Sequence, residues 1–239
     1  MISSGEGAAA GVPALVRRHV ERAVDDVPPP RQVLITQEGE MWLRPGARGM
    51  RFAATQRFAV ERVALSWRAR FPVAGPLALH VVDRFADDDG ELAVRLLGLP
   101  VQRQRGTETA AGEALRYLAE LPWAPHALLH NRKLEWRDLD ARRTEVATRV
   151  RGHRLTVELA ADESGDIVRS SSRMRQRKIA GEWVATPWGG NFDGYEKLGG
   201  IRVPTFGEAY WDLPEGRYVY FRAHVRSVEL LEQPFGNDP

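Results

Sequence analysis

The sequence predicts a mainly antiparallel α+β fold: a curved meander sheet or half-barrel of about nine to eleven strands around a central helix pair, with one N-terminal helix. Three observations predict it. Apolar and polar residues alternate over much of residues 32–230, the period of strands with two different faces. Helical spacing is confined to two stretches, near residues 12–27 and 107–121. The links between alternating runs are short, as hairpins allow and parallel crossovers do not. A twisted sheet of that many strands tends to curl or close.

Taken in order, residues 1–11 are rich in Ser, Gly and Ala and read as a disordered tail. From Val12, apolar side chains recur at helical steps through Leu15, Val16, His19, Val20, Ala23 and Val27. Pro13 suits a first helical turn, and Pro28-Pro29-Pro30 stop the helix because none can donate to it. Gln32–Glu38 and Glu40–Leu43 flank Gly39 and read as a hairpin. Phe52, Ala54, Phe58 and Val60 continue one strand face; Leu77, Leu79, Val81 and Phe85 make another. Asp87-Asp88-Asp89-Gly90 reads as a turn of the Asp-Gly type. Thr107–Leu121 is helical, with Thr107 as N-cap and Pro122 as stop, and a short helix at Pro125–Leu129 follows. Val146–Val150, Leu155–Leu159, Ile201–Trp211 and Val219–Val225 are again alternating, and Glu163-Ser164-Gly165-Asp166 turns a strand back. Residues 12–232 therefore read as one β-rich domain, with 233–239 as a C-terminal tail. Two helices midway through a meander must pack somewhere, and the concave face of the sheet is the apolar surface on offer.

Composition excludes several classes. Net charge is +2 with 34 basic residues, of which only Lys133, Lys178 and Lys197 are lysines, so the basic pI records arginine usage rather than a nucleic-acid surface. The chain has no cysteine, which removes disulfides, thiolate metal sites and cysteine nucleophiles. No apolar run has the length of a membrane span, and the first residues lack the basic and apolar regions of a secretory signal, so a cytoplasmic location is expected. Dinucleotide fingerprints, phosphate loops and serine-hydrolase elbows are missing, and no cofactor is expected.

Several segments stand out together: Arg116–Glu120 with Trp123 and Pro125; Trp136 with Asp138 and Asp140; and Pro187-Trp188-Gly189-Gly190 with Phe192, Asp193 and Tyr195. Gly199–Pro204, Gly207-Glu208, Trp211 and Leu213–Gly216 belong with them. Through these segments the chain resembles an uncharacterised, mainly actinobacterial family of unknown function, over about residues 12–230. Within that pattern His126 stands where a small or apolar residue is expected. More remotely, the order of strands and helices resembles the lipoprotein-carrier half-barrels of the LolA/LolB type. That resemblance implies a curved sheet folded over helices around an apolar cavity.

The candidate site follows from the mid-chain helix and its aromatic corner. Arg116, Tyr117, Trp123, Trp188, Tyr210 and Trp211 are the expected ligand-binding residues, aromatic surfaces with one cation near a cavity. Glu120, His126 and Tyr195 are the expected acid–base groups, should a reaction occur there. His126 and His130 share a helix face but lack the third ligand of a metal site, and none is expected. Arg173, Arg175 and Arg177, at two-residue spacing, form with Arg169 and Lys178 a basic strand face. The leading expectation is a binding protein for a small apolar or polyene-like molecule. A cofactor-independent cyclase or isomerase using the same cavity, and a scaffold with no ligand, are the alternatives. Neither nucleic acid nor a membrane span enters any of these readings.

Overall fold

The structure, a computed structural model, describes residues 11–236. The N-terminal tail expected over residues 1–11 lies almost wholly outside the described residues. Helix α1 (Ala14–Val24) leads into a six-strand meander: β1 (Gln32–Met41), β2 (Met50–Ala59), β3 (Leu65–Ala74), β4 (Leu77–Ala86), β5 (Asp89–Leu96) and β6 (Leu99–Arg105). Helix α2 (Thr107–Ala119), a 3-10 turn at Leu121–Trp123 and α3 (Pro125–His130) interrupt it. The chain then continues through β7 (Glu135–Asp140), β8 (Arg143–Val150), β9 (His153–Ala161), β10 (Ile167–Ser172), β11 (Gln176–Ile179) and β12 (Glu182–Ala185). It ends with β13 (Trp188–Leu198), β14 (Ile201–Leu213) and β15 (Gly216–Leu231).

Thirteen strands form one antiparallel sheet in the order β6-β5-β4-β3-β2-β1-β15-β14-β13-β10-β9-β8-β7. The first and last strands thus meet at its middle, and each half of the chain runs outward to its own edge. Helix α2 packs on β5, near one edge, and on β9, near the other. One helix touches both flanks because the sheet is strongly curved around it. The strands that were not foreseen include the interior β3, β10 and β13 as well as edge or projecting ones. In β6 and β12 side chains are mostly exposed, and in β7 and β11 none is fully buried, so no apolar alternation marks these four in the sequence.

Two local expectations are corrected and a third is refined. Gly39 is not a turn, since β1 runs straight through it between β2 and β15. A Cβ there would fall 2.0 Å from the Arg222 carbonyl oxygen, so the glycine marks close strand approach. The β4–β5 turn sits at Asp87 and Asp88, with φ 51° and 61°, the conformation of a two-residue primed turn. Gly90 lies beyond it in β5, where a Cβ would meet the Ala110 Cα at 2.5 Å and hold α2 off the sheet. Finally, the expected central helix pair fits in part. Helix α2 lies inside the curve against β5 and β9, while α3 packs on α1, which itself packs on β14.

The main core joins the inner sheet face (Val33, Ile35, Phe58, Leu65, Phe85, Val157) to α2 (Ala114, Leu115, Leu118) and to α1 (Val16, Val20). The C-terminal segment expected to be loose is partly fastened: Phe235 packs with Ala59, Ala64 and Ala86, and its carbonyl accepts from Arg62.

Candidate functional site

The site is built by register. In β4, Leu79, Val81, Asp83 and Phe85 face inward and pair with Phe71, Ala69, Trp67 and Leu65 of β3. Gln56 of β2 and Gln37 of β1 also point inward, so a short polar run crosses an otherwise apolar face. Above that run α2 does not fill the curve. A cavity of about 430 Å³ remains between the sheet and the C-terminal part of α2. Its walls include Met41, Met50, Phe71, Leu79, Val94 and Phe221, and Leu43 and Val101 stand at its opening. A second aromatic group, Phe52 against Trp67, Phe71 and Phe221 at ring distances of 5.2–5.5 Å, stiffens the wall behind it.

Charged groups form its inner end. Arg116 Nη1 donates to Asp83 Oδ2 at 2.8 Å and Arg116 Nε to Glu120 Oε1 at 2.9 Å, while Glu113 stands 4.0 Å away. Gln56 donates to the other oxygen of Glu120. The Arg116 guanidinium also lies 5.1 Å from the Trp67 ring centre. Arg175 reaches in from the far side, stacks on Trp188 at 4.3 Å and lies 3.7 Å from Glu113. Trp188 Nε1 donates to the Tyr220 hydroxyl at 2.9 Å. Burial, aided by Asp83, pushes Glu113 up to about 8, against the pull of Arg175 and Arg116. Glu113 thus sits between the two guanidiniums, 4.0 Å from Arg116 and 3.7 Å from Arg175.

Of the expected residues, Arg116, Glu120 and Trp188 line this cavity. Trp211 stacks on Tyr220, a wall residue, at 6.1 Å. The others lie elsewhere. Tyr117 is wholly buried in the core; its hydroxyl donates to the Ala59 carbonyl and accepts from Asn131. Trp123 is a core residue too, donating to the Pro204 carbonyl and packing edge-on against Phe192 over Gly207. Tyr210 occupies the opposite sheet face, under the Arg217 guanidinium at 3.6 Å. His126 donates from Nε2 to the Val27 carbonyl and ties α3 to the end of α1, with burial lowering its pKa. Tyr195 donates to the Ile167 carbonyl beside His19 and Arg202. Glu120, His126 and Tyr195 are therefore not assembled into one acid–base site. Among the described residues no cluster of His, Cys, Asp or Glu has the makings of a metal site.

Asp83, Arg175 and Tyr220 were missed. Asp83 had a signal: a carboxylate at an inward register position between Val81 and Phe85. Arg175 had none, because its basic neighbours Arg173 and Lys178 point outward and only the fold turns Arg175 in. A larger groove of about 700 Å³ crosses the outer face between Glu38, Arg70, His80, Arg95 and Arg226. Several of its lining side chains are charged, and Arg226 and Glu38 already pair at 3.2 Å, so the more apolar inner cavity is the better small-molecule site.

A family model described as a family of unknown function, DUF6544, matches residues 3–223. No curated protein matches the chain in sequence. Among solved structures, a LolA superfamily protein from Nitrosomonas europaea is similar at 11% identity and a TM-score of 0.49, over 92% of this chain and 94% of that one. A DUF1329 family protein from Desulfovibrio piger is similar at 11% identity and a TM-score of 0.37, over 95% and 94%. A β-barrel-like protein of the DUF1849 domain from Brucella abortus follows at 10% and 0.25, over 84% and 98%. No helix among the described residues is long and apolar enough to cross a membrane.

Proposed function

The chain belongs to the DUF6544 family, a family of unknown function, and we propose that it binds one small apolar or polyene-like molecule between its sheet and α2. The observation that carries this reading is the 430 Å³ cavity itself, which has the size and apolar walls of small-molecule sites. A core meant only for stability fills such space, because an unfilled void forfeits packing contacts. The ion cluster at the inner end supports a ligand lying with its apolar body toward the opening at Leu43 and Val101. Glu120 alone of the expected acid–base groups reaches the cavity, and Arg116 and Gln56 already hold both its oxygens. That favours a binding protein over a cyclase or isomerase.

The test is titration with the apolar dye N-phenylnaphthylamine, together with native mass spectrometry of gently purified protein. Saturable dye binding is expected, falling at least about tenfold in Val81→Trp, whose indole fills the cavity, while circular dichroism stays unchanged. Dye binding that is unsaturable, or indifferent to Val81→Trp, would refute the reading.

A further inference from the structure

The large apolar side chains that stand exposed are not scattered. In the antiparallel pairings the β1–β2, β3–β4 and β5–β6 links all fall at one end of the sheet. That end carries Leu43, Val73, Leu97, Leu99 and Val101, with Leu43 73% and Leu97 70% exposed. Leu97 moreover holds a left-handed conformation, φ 53°, where Asn or Gly is strain-free and a bulky exposed leucine is not. The remaining exposed ones are Met174, Ile179, Trp183 and Val184, on or beside the β11–β12 hairpin. The hairpin leaves the molecule between Arg175 and Trp188, both cavity residues, and pairs with no strand of the large sheet. Every exposed large apolar side chain among the described residues therefore lies at this end of the sheet, where Leu43 and Val101 border the cavity, or on or beside the hairpin. Solvated proteins scatter such residues singly, and a concentrated patch marks a contact surface.

Charge identifies the partner. Arg44 and Arg48 lie in the β1–β2 loop, and Arg173, Arg177 and Lys178 flank or lie in the hairpin. Glu182 is the one carboxylate in these two segments, 42–49 and 173–185. None of the five cations has a carboxylate partner among the described residues, whereas arginines elsewhere, such as Arg103, Arg154 and Arg217, are in ion pairs. Lys178 instead lies over the Trp183 ring at 6.0 Å, cation and indole together, as at membrane interfaces. Excess positive charge around exposed Leu, Ile, Val and Trp fits a surface that is anionic outside and apolar within.

We propose that the cavity mouth and the β11–β12 arm dock on the surface of an anionic lipid bilayer. In that pose the cavity opens toward the apolar phase without the chain spanning it. The arm side chains lie outside the cavity lining, so variants confined to the arm test the contact separately from ligand binding. Flotation of the full chain with lipid vesicles tests it. The protein is expected to float with phosphatidylcholine–phosphatidylglycerol vesicles, to be partly released by salt, and to stay down with pure phosphatidylcholine. Two variants are informative: Ile179→Ser/Trp183→Ser/Val184→Ser, which removes the apolar tip, and Arg173→Glu/Arg177→Glu/Lys178→Glu, which reverses the charge. Each is expected to weaken flotation at least about tenfold with dye binding to the cavity intact, since the arm is no part of the large sheet. The proposal fails if neither vesicle is bound, or if flotation persists in both variants. It fails equally if the tip variant turns a concentration-dependent dimer into a monomer by light scattering, which would make a second copy the occupant.

Discussion

Arg116 is where the inner face of this molecule concentrates its electrostatic cost. Its side chain is about nine-tenths buried and three carboxyl groups lie within 4.0 Å. Breaking a buried ion cluster on one side strands charge in a poor solvent. Arg116→Met is expected to cost about 3–5 kcal/mol in urea denaturation, and Arg116→Met/Glu120→Gln less, a non-additivity that shows the pair acts together. Two buried titrating groups give opposite pH signatures. Glu113 keeps its proton to about pH 8 in the folded protein, against an ordinary 4.5. Between these values the native state binds more protons than the unfolded chain, so stability falls as pH rises through the window. Glu113→Gln is expected to flatten that slope in denaturation curves between pH 5 and 8. His19 behaves conversely. Burial lowers it from 6.5 to about 4, against the opposing pull of Asp166, and neither ring nitrogen makes a well-formed hydrogen bond. Stability is lost as pH falls between these values, and thermal melts of His19→Leu should lose that acid sensitivity.

At the scale of elements, two glycines around α2 make opposite predictions. Gly90 lets β5 touch the helix backbone, so Gly90→Ala forces them apart and is expected to destabilise by about 1–3 kcal/mol. Gly112 sits inside α2 with open space where a Cβ would go, so Gly112→Ala should stabilise by roughly 0.5–1 kcal/mol. Thermal unfolding of the two variants checks both signs. The existence of α1, α2, α3 and most long strands was legible because apolar period and proline stops are local properties. Gly39 and Asp87-Asp88 misled because a glycine in a strand and one in a turn look alike until the neighbouring strand is known. Tyr117, Trp123 and Tyr210 misled for a related reason. An aromatic residue near a helix end or in a strand advertises burial, but whether it borders a void or fills one depends on what arrives from the other half of the chain.

Over the whole molecule, β1 and β15 close the sheet at its centre from opposite ends of the chain. Such pairing brings a large loop-closure entropy into folding, which local contacts alone cannot offset. A chain ending at Glu215 leaves β1 and β14 as open central edges, and is expected to lose its dispersed amide spectrum throughout rather than in one half. The sequence by itself determined the class of the fold, a helix interrupting an antiparallel meander, since alternation, helical stripes and prolines are read within a few residues. It also marked Arg116, Glu120 and Trp188, because they lie in segments with an unusual density of aromatic and charged groups. Only the tertiary structure decided that α2 carries the inner ion cluster, and that Asp83 and Arg175 reach it from opposite sides. It also gathered the exposed apolar residues of four separate segments at one end of the sheet and on or beside the hairpin. These are matters of curvature and register, set by strand pairs far apart in the chain, and no local pattern encodes how far a sheet will bend.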